Sequence, residues 1–152
     1  MTTKISNSEL GAIYTTKILS LLLQEWPRPM SISCGTITGV EFDEESIFYN
    51  TTKATYPREW RICSDLIVWL ENENFIRTKG AAGSIFNFSQ VEITMLAMTA
   101  LNQKPDPLDP ESSRTLKDTL KDCAKNGALK ISEKIMDQAF FAVISAVGKS
   151  IT

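Results

Sequence analysis

Residues 65–94 read DLIVWLENENFIRTKGAAGSIFNFSQVEIT, and our prediction of the fold starts from this stretch. Its first part continues an amphipathic helix that begins at Pro57, where proline suits the first helical position. Residues 75–79 (FIRTK) then predict a strand, a glycine-alanine turn follows, and residues 85–93 predict a second strand with an irregularity near Ser89. The stretch therefore predicts a long helix that runs directly into a β-hairpin.

The flanking segments predict mostly helices. Residues 7–26 carry apolar side chains at helical spacing, and this helix ends where a proline-rich segment begins. Residues 30–33 predict a very short strand, and Thr94 can cap a short helix over residues 95–101. Further helices are predicted at residues 43–49, 112–125 and 129–147. The fold class that we predict is α+β and mainly helical, with two appended C-terminal helices.

The composition argues against several kinds of active site. The chain has 152 residues, the usual size of one domain, a formal net charge of −2 and no histidine. Without histidine there is no Ser-His-Asp triad and no histidine-containing zinc site. The sequence also lacks a phosphate-binding loop and a nucleophile elbow. We therefore predict no enzyme activity, no catalytic residue, no metal site and no cofactor.

The cysteines and the apolar stretches bear on the compartment. The thiols of Cys34, Cys63 and Cys123 are far apart in the sequence and form no CxxC pair, so we expect them to be small buried residues in a reducing compartment. The N-terminal residues are polar and predict no signal peptide. The longest apolar stretch, residues 139–147, is far shorter than the ~20 residues that span a bilayer. These features predict a cytoplasmic protein without a membrane partner.

Residues 10–101 resemble a winged-helix domain of the kind found in bacterial transcriptional repressors. The helix DLIVWLENENFIR (65–77) and the hairpin FIRTKGAAGSIFNFSQVEIT (75–94) carry this resemblance. It implies that the helix is a recognition helix and that the hairpin is the wing. We therefore expect a winged-helix-like domain over residues 1–104 and a C-terminal helical extension over residues 105–152, packed on the same domain.

The resemblance also implies a set of basic residues for DNA contact. In a winged-helix repressor the recognition helix enters the major groove, and the wing touches phosphate or the minor groove. The residues at the matching positions are Arg58, Arg61, Arg77 and Lys79. Carboxylates on the same helix oppose this role, because they repel phosphate. They belong to Glu59, Asp65, Glu71 and Glu73.

An acidic run before the long helix points to a protein partner instead. It consists of Glu41, Asp43, Glu44 and Glu45. Such a patch can steer and dock a basic protein, for example a toxin that acts on nucleic acid, although a solvated loop is the simpler interpretation. Trp60 lies near the start of its helix and becomes an interface anchor if it is half exposed; otherwise it builds the core. We predict a non-enzymatic binding protein whose partner is a protein, for example an immunity or antitoxin protein that neutralises a toxin. The alternative is a DNA-binding transcriptional regulator.

The last predicted helix has a wide apolar arc. Phe140 and Phe141 are adjacent and therefore point to different sides of the helix. A homodimer formed through the C-terminal helices would bury this arc, whereas packing against the first helix is the alternative. The oligomer interface that we predict comprises Ile135, Phe140, Phe141 and Ile144.

Overall fold

A helical layer and a small antiparallel sheet make up the described part of the chain, which confirms the α+β class. The computed structural model of the protein describes residues 5–42, 56–80, 86–101, 138, 140, 141 and 143. The helices are α1 (Asn7–Glu25), α2 (Cys34–Thr38), α3 (Arg58–Asn72) and α4 (Met95–Leu101). The strands are β1 (Met30–Ser33), β2 (Ile76–Arg77) and β3 (Asn87–Ile93), in the sheet order β1-β3-β2. Residues 138, 140, 141 and 143 are also helical.

Helices α1 and α3 form where the apolar spacing predicts them, and each begins at a signal in the sequence. The Ser6 hydroxyl accepts a hydrogen bond from the Glu9 N–H at 3.2 Å and caps α1, while Pro57 stands immediately before the first residue of α3. The side chains that α3 buries lie on one face of the helix, because they recur every three or four residues. They are Trp60, Cys63, Ser64, Ile67 and Leu70.

Helix α2 was not predicted. Its sequence, CGTIT, is rich in β-branched residues, which are poor helix formers. The helix is defined at its ends instead: the Ser33 hydroxyl accepts from the Thr36 N–H at 3.2 Å, and Gly39 ends it with φ at +71°. The short helix that we predicted at residues 43–49 lies outside the described residues.

The hairpin and the short strand occur as predicted. Strand β2 pairs with β3 in antiparallel register, with Ile76 opposite Ile93, and β1 pairs with the other edge of β3. The register of that second pairing shifts beside Gln90, whose φ is +50°, so the irregularity predicted near Ser89 is confirmed. The cap predicted at Thr94 is confirmed as well, because its hydroxyl accepts from the Ala97 N–H at 3.2 Å.

The buried side chains of the helices and the sheet form one apolar core. Phe75 and Phe86 are its largest fully buried members, and α1 contributes Ile18 and Leu19 at 0% exposure. Val143 is fully buried in the same core, so at least this residue of the C-terminal region packs against the elements formed by residues 7–101. The described helices have no segment with the length and apolar character of a membrane span.

Candidate interaction surfaces

The four basic residues predicted to contact DNA do not form one patch. Arg77 and Lys79 line a cavity of about 240 Å³ on the hairpin, together with Glu92. Arg58 lines a different cavity, of about 460 Å³, between α1 and the start of α3. Arg61 is partly buried, and its Nε atom lies inside the protein surface. The structure therefore divides the predicted set between separate places on the surface.

Two of these basic side chains are bound to atoms of the chain itself. The Arg58 guanidinium donates to the Ile5 carbonyl at 2.8 Å and to the Asn7 Oδ1 atom at 2.6 Å, which holds the start of α3 against the start of α1. The Arg77 guanidinium forms an ion pair with Glu92, at 3.4 Å across the hairpin. That pair is well exposed, so it contributes little to stability, but it halves the positive charge that the hairpin offers to phosphate.

The solvent-facing side of α3 carries apolar and acidic side chains in its C-terminal half. Asp65, Val68 and Glu71 are exposed there, with Val68 at 47% exposure, and Trp69 is partly exposed beside them. The last turn of α3 has no basic residue. A helix C-terminus favours cations, so this end of α3 is the opposite of a phosphate-binding surface.

The predicted acidic run is only partly described. Glu41 is exposed to solvent, as a docking residue must be. Asp43, Glu44 and Glu45 lie outside the described residues.

Trp60 does not fit the predicted role of a half-exposed anchor, because it is a core residue at 6% exposure. Its indole N–H donates to the Val40 carbonyl at 2.8 Å. Its ring lies 5.7 Å from that of Phe86 and 5.8 Å from that of Phe42, and Tyr56 completes this aromatic cluster. The position of Trp60 near the start of its helix suggested that the side chain is exposed. Aromatic residues from distant parts of the sequence cover its indole instead. The exposed tryptophan is Trp26, at 51%, just after α1.

The predicted oligomer interface is described at two of its four residues. Phe141 is 72% exposed and Phe140 is partly buried, in agreement with the expectation that they point to different sides of a helix. Ile135 and Ile144 lie outside the described residues.

Two cysteines lie together in the core, a contact that their distance in the sequence does not indicate. Cys34 and Cys63 are both free thiols at 0% exposure, which confirms the expected burial for these two; Cys123 lies outside the described residues. A hydrogen bond with Cys34, together with burial, raises the pKa of the Cys63 thiol far above its usual value. Burial likewise raises the pKa of Tyr14 to about 12, with the Glu59 carboxylate as the next largest cause. The Cys63 thiol is therefore not a reactive nucleophile, and burial keeps solvent and reagents away from both thiols.

A predominantly apolar groove of about 350 Å³ runs along β1, and sequence reasoning missed it. All four residues of β1 line it, with Leu21 of α1, Ile37 of α2 and Phe88 of β3 on its other sides. Strand β1 lies at an edge of the described sheet. The lining comes from four separate elements, so only the uncharged sequence MSIS of the strand itself could have hinted at the groove.

No group of three or more His, Cys, Asp or Glu side chains is close enough to hold a metal ion in the parts of the chain that the structure describes. Comparison of the sequence and the structure with family models, with curated proteins and with solved structures gives no match.

Proposed function

We propose that this chain is a non-enzymatic binding protein of winged-helix type whose partner is another protein. The observation that carries the proposal is that the basic residues do not form one patch of free positive charge. Arg58 and Arg77 are engaged by atoms of the chain itself, and they lie at separate cavities. Phosphate contacts supply most of the affinity of a DNA-binding protein, and this surface offers few of them.

The winged-helix type is supported by the order of the elements. Helix α1 and strand β1 precede the pair α2 and α3, and α3 leads into the hairpin of β2 and β3.

The outward side of α3 supports the same choice. A recognition helix would present it to the major groove, where Asp65 and Glu71 meet the negative potential of the phosphates. A protein partner can instead cover the exposed Val68 and pair with the Glu71 carboxylate. An immunity or antitoxin protein that neutralises a basic toxin in the cytoplasm is one protein of this kind.

The alternative function is DNA-binding transcriptional regulation, and one observation favours it. Arg77 and Lys79 lie together on the hairpin, where the wing of a winged-helix protein contacts nucleic acid. If DNA is the ligand, replacing Arg58, Arg61, Arg77 and Lys79 by alanine abolishes binding and flattens its salt dependence.

An affinity pulldown from the native cell extract, with and without nuclease, tests the choice. We expect a stoichiometric protein that survives nuclease treatment. Reversing Glu41, Asp43, Glu44 and Glu45 to lysine then slows its association and weakens the salt dependence of the on-rate. Recovery of nucleic acid, with every bound protein lost on nuclease treatment, would overturn the proposal in favour of DNA binding.

Self-association is a separate part of the proposal. We infer that the exposed Phe141 belongs to a homodimer interface on the C-terminal helices. Light scattering of the chain at tens of micromolar is expected to give the mass of a dimer, and Phe141→Glu is expected to give that of a monomer. A monomeric mass for the unchanged chain contradicts this interface.

A further inference from the structure

Two cysteine side chains meet where α2 packs against α3. Cys34 is the first residue of α2, and Cys63 lies in α3 on the face that this helix buries. The two side chains form a hydrogen bond with each other, and both residues are 0% exposed. The pair is therefore a buried contact between two helices that come from separate parts of the sequence.

The backbone beside this contact is held in place. The Cys34 N–H donates to the Phe86 carbonyl at 2.9 Å, which ties the start of α2 to the residue before β3. One turn before the second cysteine, the Trp60 indole lies against Gly35, where an added Cβ atom would be 3.0 Å from the ring. The close packing of α2 on α3 thus brings the two thiols together.

This arrangement is close to what a disulfide requires. A disulfide holds its two sulfur atoms about 2 Å apart and its Cβ atoms about 3.5–4.5 Å apart. Two hydrogen-bonded cysteine side chains are already in contact, so a small movement of one or both brings the sulfur atoms to bonding distance. The free thiols of Cys34 and Cys63 are therefore placed to be joined without a rearrangement of the helices.

We propose that Cys34 and Cys63 are a reversible disulfide pair, which joins α2 to α3 when the chain meets a low-molecular-weight disulfide such as oxidised glutathione. The thiolate of one cysteine attacks a sulfur atom of the reagent, forms a mixed disulfide and releases one reduced glutathione. The thiolate of the other cysteine then attacks the sulfur atom of the first and releases a second reduced glutathione. The two cysteines lose two protons and two electrons, and the two glutathione molecules take them up.

Burial makes this exchange slow while the fold is closed. The reagent has to reach two side chains that are 0% exposed, and burial together with the contact to Cys34 raises the pKa of the Cys63 thiol. Little of the reactive thiolate is then present. The exchange therefore passes through molecules in which the contact between α2 and α3 has opened, and the pair responds to lasting oxidation.

The disulfide is expected to stabilise the folded chain. It closes a loop that contains residues 35–62, and this restricts the unfolded chain. Since the bond favours the fold, the fold favours the bond to the same extent. A reducing compartment keeps the pair as thiols, and the bond forms when the glutathione pool becomes oxidised.

Equilibration of the full chain with mixtures of reduced and oxidised glutathione tests the pair. Acid stops the exchange, and peptide mass spectrometry identifies the linked cysteines. We expect Cys34 to be linked mainly to Cys63. The ratio of linked to free pair in buffer should be about tenfold or more above the ratio that the same mixture gives in concentrated urea. An increase clearly short of tenfold, links mainly to Cys123, or glutathione retained on either cysteine of the pair overturns the proposal.

Cys123→Ser is the matched control, because it leaves Cys34 and Cys63 as the two cysteines of the chain. It should form the disulfide at the same glutathione ratio as the unchanged chain. Urea unfolding then compares the oxidised and the reduced forms of one chain, so the result does not depend on the folding of a variant. The oxidised form should unfold at a higher urea concentration, and an equal or lower midpoint refutes the proposal. Neither experiment involves a partner, so both are independent of the proposed function.

Discussion

Gly35 allows α2 to approach α3 more closely than any other residue would. A Cβ atom added there would lie 3.0 Å from Cζ2 of Trp60, which is tighter than most contacts that real Cβ atoms make, so the indole would have to move by a few tenths of an ångström. The indole cannot easily withdraw, because its N–H is bonded to Val40 and its ring is packed in the aromatic cluster. We therefore expect Gly35→Ala to destabilise the protein by overpacking.

The chain offers a matched control for this substitution. Gly11 lies inside α1, and in the part of the chain that the structure describes no atom from outside its own helix turn lies within 4 Å of a Cβ atom placed there. Both substitutions raise helix propensity by about 0.5–1 kcal/mol, whereas overpacking costs about 1–3 kcal/mol at Gly35 alone. The difference in unfolding free energy between the two variants is therefore about 2 kcal/mol. For a chain of this length that is a difference of ~4–8 °C in Tm.

Urea unfolding followed by circular dichroism measures both variants. We expect a higher midpoint than the unchanged chain for Gly11→Ala and a lower one for Gly35→Ala. A Trp60→Phe background should reduce the penalty of Gly35→Ala, since the smaller ring leaves room for the methyl group. Equal midpoints for the two alanine variants would refute the close approach of α2 to α3.

Three further predictions concern single side chains. Thr94→Ala removes the cap of α4 and the hydrogen bonds that the hydroxyl donates to the Asn74 and Phe75 carbonyls. We expect it to lower the unfolding free energy by about 1–2 kcal/mol, measured by urea titration. An equal loss in Thr94→Ser, which keeps the hydroxyl, would argue against those hydrogen bonds. The raised pKa of Tyr14 keeps its phenol neutral in the folded protein, so stability should fall as pH rises from about 10 to about 12; parallel pH curves for Tyr14→Phe and the unchanged chain would contradict this. Cys34 and Cys63 should resist iodoacetamide until urea unfolds the chain, as peptide mass spectrometry can show, and alkylation of either one in the native protein would refute their burial.

The long elements follow from periodicity in the sequence, and the short ones do not. The stripe from Trp60 to Leu70 determines both the helix α3 and the face that it buries. The alternation in residues 87–93 likewise predicts β3. Helix α2 has five residues, which is too short for a period, and only Ser33 and Gly39 at its ends define it.

The surfaces were harder to predict because they combine residues from distant parts of the chain. The basic set was chosen from its place in a helix and a hairpin, but sequence position does not indicate that Asn7 binds Arg58 or that Glu92 pairs with Arg77. The exposure of Trp60 depends on Phe86, which is far away in the sequence. The groove beside β1 depends on four elements at once.

The aromatic cluster also makes one position of the chain suitable for protein engineering. The rings of Phe42 and Tyr56 lie 5.1 Å apart, so side-chain packing holds these two residues together although they are not adjacent in the sequence. The entropy of closing a loop grows slowly with its length, by about 0.6 kcal/mol per doubling. A reporter, an epitope or a binding sequence can be inserted into the chain between Phe42 and Tyr56. We expect such an insertion to disturb the core little, which makes this position a site for grafting.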